Sequence, residues 1–114
     1  KARTIGPLIQ NAFGRAYKGG VKIAFGTDAG VYPHGQNAKE FEYMVEAGMP
    51  ALAAILSATR GSADLMGQSA NLGSIQAGRY ADIIAVKGDP TADIKLLQTM
   101  NFVMKGGQIY RHDP

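Results

Sequence analysis

Apolar residues recur first with the spacing of a helix and then with that of a strand in the first part of the chain. Residues 7–18 carry them on one helical face, and a Gly-Gly pair at 19–20 follows as a stop signal. Residues 21–25 alternate larger apolar side chains with small or polar ones, which predicts a short strand that leads into Asp28. A helix, a glycine turn and a strand make up half of an α/β repeat.

Two further helices are predicted after this strand. Residues 37–47 have one apolar and one charged side, so their glutamates are expected on a solvated face rather than in a paired-carboxylate site. Residues 50–67 begin with proline and carry a stripe that is expected to be buried: Leu52, Ile55, Leu56, Thr59, Ala63 and Met66. Gly61 lies inside this stretch, where glycine costs about 1 kcal/mol relative to alanine, and it therefore predicts close packing.

The pattern changes near residues 68–72, where short extended runs replace the helices. These runs are separated by turn residues and cover 73–75, 82–87, 102–105 and 108–111. The last two flank a Gly-Gly pair at 106–107, which is typical of a tight hairpin, and residues 91–97 are expected to form a short helical segment. The chain is therefore predicted to have an α/β part, residues 1–70, and a small β part, residues 71–114.

Composition and charge argue against several kinds of protein. The chain has 114 residues and a formal net charge of +3, but its lysines and arginines are scattered without a run, so no nucleic-acid partner is expected. Cysteine is absent, which excludes disulfides within this sequence and fits a cytoplasmic, reducing location. No apolar run is long enough to cross a membrane.

Asp28 is the main candidate for chemistry. If the larger side chains of the predicted strand face the helices, Ala24, Gly26 and Asp28 share the opposite face, where the two small residues leave space. In parallel α/β folds the carboxyl ends of the strands carry the active site. A carboxylate there can bind a cation or move a proton. Thr-Asp before Ala-Gly is also common turn chemistry, and the position alone leaves both interpretations open.

Five stretches occur in a recognisable order: "FGTDAG", "EAGMP", "SATRGSADLMG", "GSIQAGRYADIIAV" and "GDPTADI". Together they resemble the C-terminal part of the metal-dependent amidohydrolases, in particular the imidazolonepropionase-like branch with its Xaa-Pro and Xaa-Arg dipeptidases. The resemblance implies that residues 1–70 are the C-terminal portion of a (β/α)8 barrel of the TIM type, with 21–25 as its last strand. It implies that residues 71–114 are part of a small β-sandwich domain.

The resemblance also implies an activity and a cofactor. The parent protein would hydrolyse an amide or peptide C–N bond, in a dipeptide or an acylated amino acid, with metal-activated water. Asp28 would be both a metal ligand and the proton shuttle. The metal would be divalent, with zinc the expected ion, one or two per full-length chain, and the enzyme would be a homo-oligomer.

The other ligands of such a site are absent from this sequence. The family supplies a His-X-His pair, a lysine and further histidines, whereas this chain has only His34 and His112, neither of them in such a pair. A catalytic zinc needs about three protein ligands, and a barrel needs roughly 250 residues. The chain is therefore expected to be a fragment that is inactive and binds little metal by itself.

Two alternatives stay open at this point. His34, six residues beyond Asp28, is either a substrate contact or an ordinary loop histidine. The chain itself is either part of a hydrolase or a truncated, non-catalytic packing module, whose exposed apolar helix faces would form an interface with partner chains.

Overall fold

The computed structural model describes residues 2–27 and 36–114. In the described residues, four helices precede a 3₁₀-helix and a three-stranded sheet. The helices are α1 (Ala2–Lys18), α2 (Lys39–Glu46), α3 (Ala51–Ala58) and α4 (Arg60–Leu65). The strands are β1 (Ile83–Ala85), β2 (Phe102–Lys105) and β3 (Gln108–His112), with the 3₁₀-helix Ile94–Gln98 between β1 and β2. None of the described helices is long and apolar enough to cross a membrane.

Helices are present where they were predicted, with one correction. The stretch 50–67 is not a single helix, because the backbone leaves helical geometry at Thr59 (φ −117°, ψ −92°) between α3 and α4. The Thr59 hydroxyl donates a hydrogen bond to the carbonyl of Ile55 at 2.9 Å, a contact that often bends helices. The stretch therefore forms two short helices, α3 and α4.

The stripe that was expected to be buried along this stretch is largely exposed. Leu52 is 55% exposed and Met66 is 60% exposed, and Ala63 is the one buried member of the stripe, while Ala54 and Ser57, which lie outside it, are also buried. The prediction of a buried stripe is wrong because apolar spacing indicates only which side of a helix favours burial. The described residues do not pack against most of that side.

The predicted strand at 21–25 forms no ladder with the described residues, although its apolar side chains pack inward. Ile23 and Phe25 lie against the buried cluster of Met44, Met49 and Ala54. The described strands all belong to the separate β1-β2-β3 sheet. Since a strand is defined by its partners, this part of the chain is called the 21–27 segment below.

The predicted hairpin is present in the β part, but one of the predicted extended runs is not a strand. β1, β2 and β3 pair antiparallel in that order, and Gly106 (φ 58°) and Gly107 (φ 83°) form the two-residue turn between β2 and β3. The run 73–75 is a turn rather than a strand, because Gly73 adopts φ 96° against the Thr59 carbonyl. The helical segment predicted at 91–97 is present as the 3₁₀-helix Ile94–Gln98.

The turn at Asp89 provides a prediction about pH. The Thr91 hydroxyl donates to Asp89 Oδ1 at 2.6 Å and the Thr91 amide donates to the same oxygen at 2.9 Å, and these bonds lower the pKa of Asp89 below 3.8. The lowered pKa means that this contribution to stability is present above pH 3.8 and is lost as the pH falls through the folded-state pKa. Thr91→Val should therefore raise the pKa of Asp89 toward 3.8 in a carbon-detected NMR titration. Thr99→Val is the control, and an unchanged Asp89 pKa in Thr91→Val would contradict the assignment.

Candidate functional site

The 21–27 segment leads into the candidate site. Asp28 and His34, the two residues predicted for the site, both lie outside the described residues. The 21–27 segment ends directly before Asp28, so its contacts determine where the chain enters the site.

Packing holds one face of this segment against the helices. The Phe25 ring stacks on the Phe41 ring of α2 with centroids 4.3 Å apart and an interplanar angle of 25°. Ile23 and Phe25 thus face the helices, as the alternation predicted. Val21 does not, since it is 56% exposed. The predicted alternation of side-chain faces is therefore correct at Ile23 and Phe25 and wrong at Val21.

Backbone hydrogen bonds anchor the segment at two points. The Val21 amide donates to the carbonyl of Ala16 at the end of α1, and the Phe25 amide donates to the carbonyl of Ser57 in α3, each at 3.1 Å. The second bond lies three residues before Asp28. Helix α3 therefore supports the segment that leads into the candidate carboxylate.

Open space lies beside the small residues of the segment. A cavity of about 350 Å³ is bordered by Ala24, Gly26 and Glu40, and a Cβ atom added at Gly26 would meet nothing within 4 Å. A larger open groove of about 1030 Å³ runs along Lys22 and Ala24. It is lined by a mixture of apolar, hydroxyl and charged side chains, including those of Leu56, Ser74, Arg60, Asp64 and Arg79.

Two hydroxyl groups near this groove have structural roles. The Ser57 hydroxyl is buried and donates to the Ala54 carbonyl at 2.6 Å, and the Thr59 hydroxyl bonds back to Ile55. Both bonds were expected for hydroxyls in a helix. Asn37 lies three residues after His34 in the sequence, and its buried Oδ1 accepts no hydrogen bond from the described residues.

The glutamates of α2 are not simply a solvated face. Glu42 accepts a hydrogen bond from Gln98 Nε2 at 2.9 Å and lies 3.8 Å from Lys95 Nζ, both in the 3₁₀-helix. Glu46 accepts from Gln10 Nε2 of α1 at 3.3 Å. These carboxylates join α2 to its neighbours, which the helical pattern alone did not predict. Asp82 is structural as well, since its Oδ1 accepts from the Gly106 amide at 2.9 Å.

A complete metal site is not formed by the described residues. Within 2–27 and 36–114, no group of three or more His, Cys, Asp or Glu side chains is arranged to hold a metal ion. Any full set of ligands must therefore involve residues beyond this part of the chain.

The described residues thus combine four helices with a small antiparallel sheet, and the 21–27 segment leads in the sequence to the candidate carboxylate of Asp28. Residues 9–111 match the amidohydrolase family, and the chain belongs to that family. The solved structures that it resembles include a Xaa-Pro dipeptidase with bound methionine in the active site, at 55% identity and a TM-score of 0.91. The match covers 96% of this chain and 27% of the dipeptidase.

Two other hydrolases are similar at lower identity. Ochratoxinase from Aspergillus niger is 39% identical over 105 residues, covering 88% of this chain and 22% of the ochratoxinase. Molinate hydrolase is 31% identical with a TM-score of 0.76, covering 85% of this chain and 25% of the hydrolase. The chain thus spans about a quarter of the length of these relatives, whose family has a TIM-barrel type of fold.

Proposed function

We propose that this chain is the C-terminal part of a metal-dependent amidohydrolase that cleaves an amide or peptide C–N bond in a dipeptide or an acylated amino acid. Family membership supports the reaction class, and the 55% identity to a Xaa-Pro dipeptidase supports a dipeptide substrate. The observation that carries the proposal is the 21–27 segment, which is packed and hydrogen-bonded up to the residues directly before Asp28.

Asp28 is the residue of this chain to which we assign chemistry. Its carboxylate has the oxygen donors that a divalent metal such as zinc accepts, and a free oxygen of the same group can take a proton from the attacking water and give it to the leaving amine. A bound metal would supply the acidity that activates a water near neutral pH. The remaining ligands would come from beyond the described residues, which by themselves form no donor set.

The rest of the same protein is the partner that we propose for the larger groove. Lys22 and Ala24 border the groove, and their backbone amides have no hydrogen-bond partner among the described residues. Leu56 (39% exposed) and Leu65 (76% exposed) add apolar surface. Neighbouring barrel strands would satisfy the amides and cover the leucines. In this proposal residues 1–70 complete a barrel and 71–114 complete a small β-sandwich, within a homo-oligomeric enzyme.

The full-length protein provides the test of this function. Its intact mass and metal content are measured on one sample, and hydrolysis is then assayed with Xaa-Pro dipeptides and N-acyl amino acids. We expect a mass well above 12.0 kDa, one or two metals per chain, and amide hydrolysis that chelators abolish. A natural product of about this mass, with no metal and no hydrolysis, would favour the packing module instead.

His34→Ala tests whether this histidine contacts the substrate. If His34 holds a substrate carboxylate or carbonyl, KM should rise roughly tenfold, as expected for losing one hydrogen bond to a charged group, with a smaller loss in kcat. His112→Ala is the matched control, because His112 is exposed on β3 and packs edge-on against Phe102. Unchanged kinetics in His34→Ala would leave it an ordinary loop residue.

A further inference from the structure

The break between α3 and α4 turns a helix carbonyl toward the 21–27 segment. In an uninterrupted helix the Ser57 carbonyl would accept the amide of Gly61. It accepts instead from the Phe25 amide at 3.1 Å and from the Ser62 hydroxyl at 2.6 Å. Since a carbonyl oxygen has two lone pairs, both are used, and the Ser57 carbonyl of α3 thereby links Ser62 of α4 to Phe25 of the segment that precedes Asp28. The Phe25 amide, the Ser57 carbonyl and the Ser62 hydroxyl are called the Ser57 clamp below.

The surroundings of the Ser57 clamp keep it rigid. Ser57 is 4% exposed and its own hydroxyl donates to the carbonyl of Ala54, which is fully buried in the core. Gly61 lets the backbones approach, because an added Cβ would lie 3.1 Å from the Leu56 carbonyl oxygen and 3.5 Å from that of Ile23. The Ser57 carbonyl is therefore held in one direction, toward the Ser62 hydroxyl and the Phe25 amide.

We propose that Ser62 is a positioning residue for the candidate site, acting through the Ser57 carbonyl and the Phe25 amide on the placement of Asp28. The inference rests on the proposed role of Asp28. Only Gly26 and Thr27 separate the clamp from that carboxylate, and the glycine adds no side chain that could fix the backbone. A metal-binding or proton-transferring carboxylate has to be held within about 0.5 Å of its working position. Loss of the Ser62 hydroxyl should loosen that position without removing any reacting group.

The test compares Ser62→Ala with wild type in the full-length protein. Three quantities are expected to change: the Zn²⁺ dissociation constant of the metal-free protein, kcat for a Xaa-Pro dipeptide, and the hydrogen-exchange rate of the Phe25 amide; KM is measured alongside kcat. We expect weaker Zn²⁺ binding, lower kcat and faster Phe25 exchange, each by roughly three- to tenfold, the effect of one hydrogen bond, with KM unchanged. Ser62→Thr keeps the hydroxyl and should restore all three quantities.

Controls separate positioning from a general loss of stability. Ser69→Ala removes a nearby exposed hydroxyl, which bonds Asp64 at 3.2 Å, and should change none of the three quantities. If Ser62→Ala does not fold, Ser62→Cys keeps the volume with a weak donor and should show the same changes. A lower melting temperature with wild-type Zn²⁺ binding and wild-type Phe25 exchange would overturn the proposal.

The outcome also distinguishes this inference from the proposed function. If Asp28→Asn abolishes turnover while Ser62→Ala behaves as wild type, the positioning role fails and the hydrolase remains. If Asp28→Asn leaves turnover and Zn²⁺ binding intact, the proposed function fails, and faster Phe25 exchange in Ser62→Ala would then report only a structural contact.

Discussion

Asp28→Asn in the full-length protein is expected to abolish measurable amide hydrolysis and to lower its metal content, while the fold is retained. The amide has nearly the shape of the carboxylate, but it carries no charge for the metal and cannot accept a proton at neutral pH. General acid–base groups contribute about 10²–10⁴ in rate, so kcat should fall by at least that factor. The measurement is steady-state hydrolysis of a Xaa-Pro dipeptide together with metal analysis and circular dichroism.

Asp82→Asn is the matched control for this change. Asp82 is also an aspartate next to an apolar run, but its carboxylate accepts the Gly106 amide of the β2–β3 turn. Its substitution should therefore lower stability slightly and leave kcat near that of wild type. Near-normal hydrolysis by Asp28→Asn would remove Asp28 from the mechanism.

Gly14→Ala is expected to destabilise the protein by about 1–3 kcal/mol, the usual effect of overpacking a close contact. Gly14 is buried in α1, and a Cβ atom added there would lie 2.5 Å from the carbonyl oxygen of Ala47 at the end of α2. The clash is with the backbone, so no side-chain rotation can relieve it, and α1 must move away from α2. The free energy of unfolding in urea measures the effect.

Asn11→Ala controls for substitution in the same helix. Asn11 is exposed in α1, and alanine there has the better helix propensity, so stability should stay the same or rise by a few tenths of a kcal/mol. A Gly14→Ala protein as stable as wild type would show that α1 and α2 do not meet at this point.

The helices and the hairpin could be predicted because their signals are local. Two adjacent glycines favour positive φ at both positions of a hairpin turn, and Gly106 and Gly107 adopt it. The apolar spacing in residues 7–18 likewise required a helix whatever lay around it. The helix in fact extends from Ala2, through Pro7, into residues for which the pattern was weaker.

The break at Thr59 could not be predicted from spacing. Threonine is tolerated in helices, and the stretch 50–67 keeps its helical periodicity on both sides of it. The break is stabilised by bonds that the Ser57 carbonyl makes with Phe25 and Ser62, and the first of these partners is distant in the chain. A threonine followed by Arg-Gly within a helical pattern was the one signal that could have indicated it.

The candidate site, too, was predictable from the sequence only in part. Asp28 as a candidate came from the sequence, through its position after a strand-like run and the resemblance to the amidohydrolases. The match of residues 9–111 confirms the family, while the roles of Asp28 and His34 stay predictions. The support behind Asp28, from the Phe25–Phe41 stack to the Ser57 carbonyl, was visible only in three dimensions.

The sequence by itself therefore determined the local elements, the family and the residue to which chemistry is assigned. Helix periodicity, glycine turns and ordered motifs are properties of neighbouring residues, so they can be recognised without the tertiary structure. Only the tertiary structure decided which apolar faces are covered, where the helical stretch 50–67 breaks, and which groups hold the approach to Asp28. Those outcomes depend on hydrogen bonds and packing between residues far apart in the chain, for which one sequence carries no spacing signal.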